Sequence, residues 1–219
     1  MRILLLLIIA LSTCSIDKED SDSNSNFIFN NTSKNKIVAI QPYEKFPIEF
    51  QDSIQKAIEK YYGFKTVIYR NQKISKYFFI NIKSPRYRAD SIIYALKKTK
   101  ADSIDFILAL TNVDISYTKR DKDGYVKKPL YKYNDWGILG LGFRPGVSCI
   151  VSSFRVKGVS KHKQIERLQK ICLHELGHNL GLAHCKSNKK CVMRDAAESV
   201  KTVDLVNMTL CKKCWNKIH

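Results

Sequence analysis

The sequence has no apolar run long enough to cross a membrane. Its longest uninterrupted apolar stretch, Ile3–Leu11, holds nine residues, whereas a membrane-spanning helix needs about 20. The chain also has no internal repeat, so we expect no repeat architecture. A chain of 219 residues that is 44% hydrophobic is large enough for one compact domain with a sizeable core.

Acidic residues are few in comparison with basic ones. The chain has 20 Asp and Glu against 38 Lys and Arg, which gives a formal net charge of +18. Lysine pairs such as Lys97-Lys98 and Lys212-Lys213 are scattered along the chain, and no fold signature of a nucleic-acid-binding domain accompanies them. The charge favours a solvated basic surface, with attraction to acidic peptides or to an anionic cell envelope as the alternative. We expect no nucleic-acid partner.

The first 36 residues differ in composition from the rest. The basic start and the apolar run are typical of a secretory signal peptide, which we predict over residues 1–13. Leu11-Ser12-Thr13-Cys14 resembles a bacterial lipobox, whose cysteine is lipidated. We therefore predict a lipid anchor at Cys14 and a flexible polar tether, together residues 14–36. An unlipidated signal peptide is the alternative.

These features imply an exported, membrane-anchored lipoprotein of the bacterial envelope. Lys18-Glu19-Asp20 also resembles the acidic export tag of surface lipoproteins, and a charged triplet in a solvated linker is the alternative interpretation. Residues 37–219 are predicted to form the folded domain, and we expect this domain to be a monomer.

The most informative motif is H-E-x-x-H-x-x-G-x-x-H, the pattern of zinc proteases, which spans residues 174–184. His174 and His178 are four residues apart, so on a helix they lie on one face, roughly 6 Å apart along the axis, and can bind one metal ion. Gly181 can adopt the left-handed conformation that ends a helix, which lets the chain turn back and bring His184 to the same ion. Three neutral imidazoles suit zinc and leave its fourth position open for water.

Glu175 follows the first predicted ligand and supplies the chemistry. A carboxylate in this position can take a proton from the water and later pass it to a leaving amine. The motif therefore predicts a zinc-dependent peptidase that hydrolyses peptide or protein substrates, with Glu175 as general base. A zinc-stabilised binding module that has lost turnover is the alternative from another class.

A second metal site is predicted from four cysteines. Cys185 follows the last histidine directly, Cys191 comes six residues later, and Cys211 and Cys214 form a C-x-x-C pair. This spacing fits a closed tetrahedral zinc site, which is structural because no coordination position remains for substrate. We expect the site to hold together a small C-terminal zinc-bound subdomain. Disulfides among these cysteines are the alternative in an exported protein.

The order H-E-x-x-H-x-x-G-x-x-H-C, C-x-M and C-x-x-C resembles the archaemetzincins, metzincin-like metallopeptidases with one catalytic and one structural zinc ion. The resemblance implies two zinc ions and places Met193 in a turn under the catalytic metal. Five residues separate Cys185 from Cys191, one more than in the family pattern, so we expect a bulge in this loop. Some metzincins have a tyrosine two residues after the methionine, but Asp195 occupies that position here and no such role is carried over.

The resemblance extends over the chain from about Ile37 onward. The segment 106–115 is similar to the family's central strand, which ends in Thr-x-x-Asp, here Thr111 and Asp114. Ser148–Arg155 is similar to its Ser-x-x-Arg edge strand, which implies that an extended substrate pairs with the edge at 148–154. From the residues alone, the first segment is simply a buried strand that runs into a loop.

Hydrophobic periodicity predicts an α/β (α+β) fold, and the resemblance implies a metzincin-like mixed sheet layered with helices. We expect strands at residues 37–40, 66–69, 77–82, 105–114 and 147–154. Helices are expected at 49–61, 89–98 and 162–180, and the last is the active-site helix that ends at Gly181. Glycine-rich residues 116–146 are predicted to form a loop with a hairpin near the cleft. Cys149 and Cys172 could form a disulfide, but we expect two buried thiols.

Overall fold

The computed structural model describes residues 36–157, 160–196 and 199–218. The predicted signal peptide, Cys14 and all of the tether except Lys36 lie outside the described residues. In the part of the chain that is described, no helix has both the length and the apolar character that a membrane span requires. The strands within it are β1 (Ile37–Pro42), β2 (Lys65–Ile68), β3 (Phe79–Asn81), β4 (Pro85–Arg88), β5 (Phe106–Thr111), β6 (Ile115–Tyr117), β7 (Trp136–Ile138), β8 (Gly140–Gly142) and β9 (Ser148–Ser152).

Six α-helices alternate with these strands in the same residues. They are α1 (Ile48–Tyr62), α2 (Ala89–Thr99), α3 (Leu130–Tyr133), α4 (Lys161–Asn179), α5 (Val200–Leu205) and α6 (Lys212–Trp215). Short 3-10 helices lie at Lys76–Phe78 and Phe154–Val156. The mixed α/β fold expected from the sequence is confirmed.

The larger sheet has the order β2-β1-β5-β9-β8. Its first four strands are parallel, and β8 runs antiparallel to β9. The central strand β5 is buried at all six positions, which explains why it reads as a continuous apolar run without alternation. A parallel strand of this kind requires helices on both faces of the sheet.

The helices provide that cover on both faces. Side chains such as Leu108 of β5 pack with α1 and α4 in one hydrophobic core, whereas Ile107 packs with α2 in a second core on the opposite face. Cys149 and Cys172 are both buried free thiols in the first core, as expected. The active-site helix α4 is therefore held against the sheet along its length.

The prediction that residues 148–154 form an edge strand is wrong. β9 lies between β5 and β8, so its two edges are both paired. Among the described residues, the sheet edge near the cleft that no other strand covers is that of β8. The reason is that Gly140–Gly142 is only three residues long and carries no apolar alternation, so residues 116–146 showed a loop pattern. The predicted hairpin is present in another form, because the chain leaves β8 and returns antiparallel in β9.

A smaller sheet of order β3-β4-β6-β7 lies beside the first. The two motifs similar to Thr-x-x-Asp and Ser-x-x-Arg meet at its end. The Asp114 carboxylate accepts hydrogen bonds from Arg155 Nε and Nη2 at 2.7 and 2.8 Å and from Arg86 Nε at 2.8 Å. A Cβ atom on Gly137 would lie 2.0 Å from Arg155 Nη2, so glycine is needed for the guanidinium to pack on β7. These ion pairs, in which the Asp114 carboxylate is buried, connect the strand that leads into β8 with the end of β5 and the segment after β9.

Candidate active site and metal centres

Three histidines converge at the end of α4. The helix begins after Ser160, whose side chain accepts from the Lys163 backbone N–H, and it ends at Asn179. Gly181 has a φ of +93°, the left-handed conformation that the motif requires. The turn brings His184 back, so that His174, His178 and His184 each offer one ring nitrogen and these nitrogens lie within 4.8 Å of one another.

Each imidazole has an oxygen acceptor near its Nδ1. His174 Nδ1 lies 2.8 Å from the Val192 carbonyl and His178 Nδ1 lies 2.7 Å from the Leu182 carbonyl. His184 Nδ1 lies 3.5 Å from Asp195 Oδ2. An Nδ1–H that donates to such an acceptor leaves the Nε2 lone pair available, which is the usual arrangement of histidine ligands to zinc.

Burial keeps two of these imidazoles neutral, as metal binding requires. Burial, followed by the neighbouring His178, lowers the pKa of His174 to about 3. The pKa of His178 is also lowered, mainly by burial. Metal binding therefore displaces no proton from either ring at neutral pH.

Glu175 projects into the same cavity and is 7% exposed. Burial raises the pKa of its carboxyl to about 8, because a charged carboxylate loses hydration there. A nearby cation would favour the ionised form and lower this value. The glycines of β8 make room for the side chain, since a Cβ on Gly140 would lie 2.8 Å from Glu175 Oε1 and one on Gly142 would lie 2.8 Å from the Glu175 carbonyl oxygen.

Met193 packs against the active-site helix at Gly177. Its side chain is fully buried, and a Cβ on Gly177 would lie 2.3 Å from its sulfur. The Met193 carbonyl accepts from the Cys185 N–H at 2.7 Å, and the Val192 N–H donates to the Thr209 carbonyl at 3.0 Å. The turn is thus tied both to the chain after His184 and to the C-terminal segment.

The four predicted cysteine ligands also come together. The sulfur atoms of Cys185, Cys191, Cys211 and Cys214 lie within 4.8 Å of one another. The Cys185 and Cys211 sulfurs are 3.7 Å apart, which fits the edge of a tetrahedron whose zinc–sulfur bonds are about 2.3 Å long. The additional residue before Cys191 is accommodated by a turn in which Asn188 accepts from the N–H groups of Lys190 and Cys191.

The ionisation of these thiols is strongly uneven. Burial raises the pKa of Cys191 to about 11 and also raises that of Cys214, partly through the charge of the neighbouring sulfur. Burial opposes ionisation of Cys185 as well, but hydrogen bonds from Ser187 and Asn188 lower its pKa to about 6. Four thiolates at these distances repel one another, so the arrangement fits a divalent cation that compensates their charge.

A cavity of about 760 Å³ opens over the histidines. Its walls include Gly140–Gly142 of β8, the turn after Met193, and Val203 from α5. Two hydrogen bonds of 2.9 and 2.7 Å from Arg167 to Asp204 hold α5 against α4. The cavity is therefore a cleft between an exposed sheet edge and the C-terminal segment.

Sequence reasoning missed two residues that organise this cleft. Asn179 donates to the carbonyls of Phe143 and Ser148 at 2.9 and 3.0 Å, which fixes the loop between β8 and β9 against the end of α4. Asp195 places its carboxylate 3.5 Å from His184 Nδ1. Their roles depend on contacts between distant segments, although the position of Asp195 two residues after Met193 was a signal that could have been followed.

Comparison with known proteins identifies the family. The family model described as "Peptidase family M54" matches residues 31–219. The archaemetzincin of Nanoarchaeum equitans is 35% identical over 135 residues, which cover 55% of this chain and 74% of that protein. The archaemetzincin of Halobacterium salinarum is 27% identical over 190 residues, covering 83% of this chain and 98% of the relative.

Solved structures show the same fold. The crystal structure of the archaemetzincin from Methanopyrus kandleri has a TM-score of 0.68 at 22% identity and covers 87% of this chain and 97% of that one. The archaemetzincin from Archaeoglobus fulgidus, solved with malonate, has a TM-score of 0.66 at 24% identity and covers 83% and 99%. With the family match and the converging motif residues, the chain belongs to peptidase family M54, as an archaemetzincin-type zinc metallopeptidase.

Proposed function

We propose that peptide bonds are hydrolysed at the centre formed by His174, His178 and His184, with Glu175 as general base and then general acid. The observation that carries this assignment is the convergence of three imidazoles, each with an acceptor at Nδ1, beside a buried carboxyl group in one open cleft. A structural zinc site would leave no such opening, because its four ligands close the coordination sphere.

Zinc, when bound by the three histidines, supplies a Lewis acid that activates water and polarises the scissile carbonyl. The buried Glu175 carboxylate accepts the proton of the attacking water on an Oε atom. It then delivers this proton to the nitrogen of the leaving amine, and a pKa near the operating pH suits both transfers. Gly140 and Gly142 leave space for Glu175 in this position. A Cβ atom at Gly140 would be too close to its carboxyl group, and one at Gly142 would be too close to its backbone carbonyl.

The substrate pairs with the free edge of β8. In the ladder with β9, the Ser152 N–H donates to the Leu139 carbonyl and the Phe143 N–H donates to the Ser148 carbonyl. Hydrogen bonding alternates along an antiparallel strand, so the backbone groups of Gly140 and Gly142 point away from β9. They offer donors and acceptors to an extended peptide along the cleft, which requires no particular side chain.

A second zinc ion is held by the four cysteines and has a structural role. Cys185 and Cys191 lie on either side of the loop after the active-site helix, whereas Cys211 and Cys214 belong to the C-terminal segment. An ion that joins them ties this segment to the Met193 turn. Binding is then coupled to folding of the region that positions His184.

The N-terminal assignment remains a separate proposal. Signal-peptide cleavage before Cys14, with lipidation there, would anchor a monomeric domain to the bacterial envelope through a polar tether. The support is the sequence of the first 36 residues.

Digestion of a diverse peptide library tests the peptidase assignment. The wild type, Glu175→Gln and the control Asp52→Asn, an equivalent carboxylate-to-amide change at an exposed position of α1, are compared at equal zinc loading. We expect cleavage by the wild type and the control, and a loss of at least about 10²-fold in Glu175→Gln. Zinc-loaded wild-type protein that cleaves no peptide would instead support the binding-module alternative.

A further inference from the structure

The cleft carries more basic side chains than the proposed mechanism uses. Its lining includes Lys119, Arg144, Lys170 and Arg194. The corresponding acidic side chains are Glu175, the proposed base, and Asp195, whose carboxylate lies 3.5 Å from His184 Nδ1. The walls around the metal site are therefore positively charged before any metal is bound.

Two of the four cations are already engaged. Lys170 Nζ lies 2.6 Å from the Glu166 carboxylate, so its charge is compensated within α4. Lys119 Nζ lies 5.0 Å from the centre of the Trp136 ring, which it contacts as a cation–π pair.

Arg144 and Arg194 are different. Neither guanidinium has an ion-pair or hydrogen-bond partner in the ranges 36–157, 160–196 and 199–218 that the structure describes. Arg144 is exposed and Arg194 is partly exposed, so neither is too deeply buried to reach a ligand. A guanidinium has five donors in a planar fork, which matches the two oxygens of a carboxylate.

The two arginines belong to two different segments of the chain that line the cleft. Arg144 follows β8, the strand proposed to pair with substrate, and its charge contributes to the lowered pKa of His178. Arg194 directly follows Met193, which packs against α4 at Gly177. A peptide that lies along β8 with its scissile bond over the metal site therefore shares the cleft with both unpaired cations.

We propose that the cleft selects peptides with acidic side chains close to the scissile bond, and that Arg144 and Arg194 recognise these carboxylates. The inference rests on the proposed function and names the substrate class of the same site. The scattered lysines of the remaining surface add a general attraction to acidic peptides, but general attraction does not discriminate between positions along a peptide.

The test uses peptides with one cleavable bond and Glu, Gln or Lys placed in turn at each of the three positions on either side of it. Hydrolysis by the wild type is compared with Arg144→Gln, Arg194→Gln and Arg70→Gln. Arg70 is an exposed residue next to β2, at the opposite edge of the larger sheet, so the last variant makes the same charge change away from the cleft. Binding of the same peptides to zinc-loaded Glu175→Gln, with and without each arginine substitution, is followed by fluorescence anisotropy.

We expect at least one position at which the wild type prefers Glu over Gln by about 10-fold or more in kcat/KM and in binding, as for a charge-assisted hydrogen bond. The preference should weaken with added salt. Arg144→Gln or Arg194→Gln should reduce the preference for Glu over Gln to less than about 3-fold at the matching position. Lysine in place of the same arginine should restore the preference in part, and Arg70→Gln should leave it unchanged.

Equal use of Glu and Gln at every position would overturn the inference while leaving the peptidase assignment intact. A preference that survives both arginine substitutions, or falls equally in Arg70→Gln, would overturn it as well. If the wild type cleaved none of the peptides, the proposed function would fail, and the binding measurements would still decide whether the two arginines select acidic peptides.

Discussion

Substitution of Gly140 by alanine tests how closely the sheet edge controls the carboxyl group of Glu175, the proposed general base. A Cβ atom at this position would lie 2.8 Å from Glu175 Oε1 and 2.9 Å from its Cγ. Because carbon atoms in contact prefer separations of about 3.5 Å or more, the side chain of Glu175 must move by roughly 0.6 Å. The atoms that meet the new methyl group belong to the side chain, so we expect a loss of stability of only about 1 kcal/mol.

The expected effect on catalysis is larger than the effect on stability. A displacement of about 1 Å can cost a factor of 10², so we expect kcat to fall roughly 10- to 100-fold while zinc content is unchanged. Peptide hydrolysis, zinc analysis and thermal unfolding are measured for Gly140→Ala, Glu175→Ala and the double variant. If the methyl group acts through the carboxyl, Gly140→Ala should have little further effect on the rate in the Glu175→Ala background. An equal loss in both backgrounds, or full activity in Gly140→Ala, would refute this reasoning.

Three further predictions concern the structural zinc, an ion pair and the anchor. Cys211→Ser should lower the zinc content by one ion per chain and reduce Tm by several degrees. Disulfides among the four cysteines, detected by a thiol assay on the native zinc-loaded protein, would exclude the cysteine site. The Arg167 hydrogen bonds lower the pKa of Asp204, so they should contribute about 1 kcal/mol to the free energy of unfolding. This contribution should be complete above the unfolded pKa of about 4 and lost as the pH falls through the lower folded pKa. In urea unfolding between pH 2 and 6, the stability of Asp204→Asn should therefore fall less steeply with acid than that of the wild type. Cys14→Ser should move the protein from the membrane to the soluble exported fraction, and unchanged membrane association on fractionation would contradict lipidation.

The convergence of the two candidate metal-binding groups could be predicted because their geometry is local. Two histidines four residues apart share a face of any helix. Gly181 adopts the left-handed conformation after the helix, which turns the chain so that His184 reaches the other two histidines. The cysteines Cys211 and Cys214 likewise form a recognisable pair. Most helices and parallel strands were also visible, because a buried sheet layered with helices imposes strong apolar periodicity.

The edge of the sheet could not be predicted in the same way. Whether a strand lies at an edge depends on which distant segment pairs with it, and Gly140–Gly142 carries no apolar pattern that would identify a strand. The role of Asn179 is hidden for a similar reason, since its partners at Phe143 and Ser148 are brought to it by the tertiary fold. The short helices α5 and α6 depend on contacts with α4 and with the cysteines rather than on their own propensity.

The zinc content and hydrolytic activity of His178→Ala test the central claim most directly, with His162→Ala, an exposed histidine at the start of α4, as control. If the histidines hold the catalytic ion and the cysteines hold another, plasma mass spectrometry should find the zinc content of His178→Ala halved, from about two ions per chain to about one, and peptide hydrolysis should be lost, while His162→Ala keeps both. An unchanged zinc content or undiminished hydrolysis in His178→Ala would contradict the assignment of this centre.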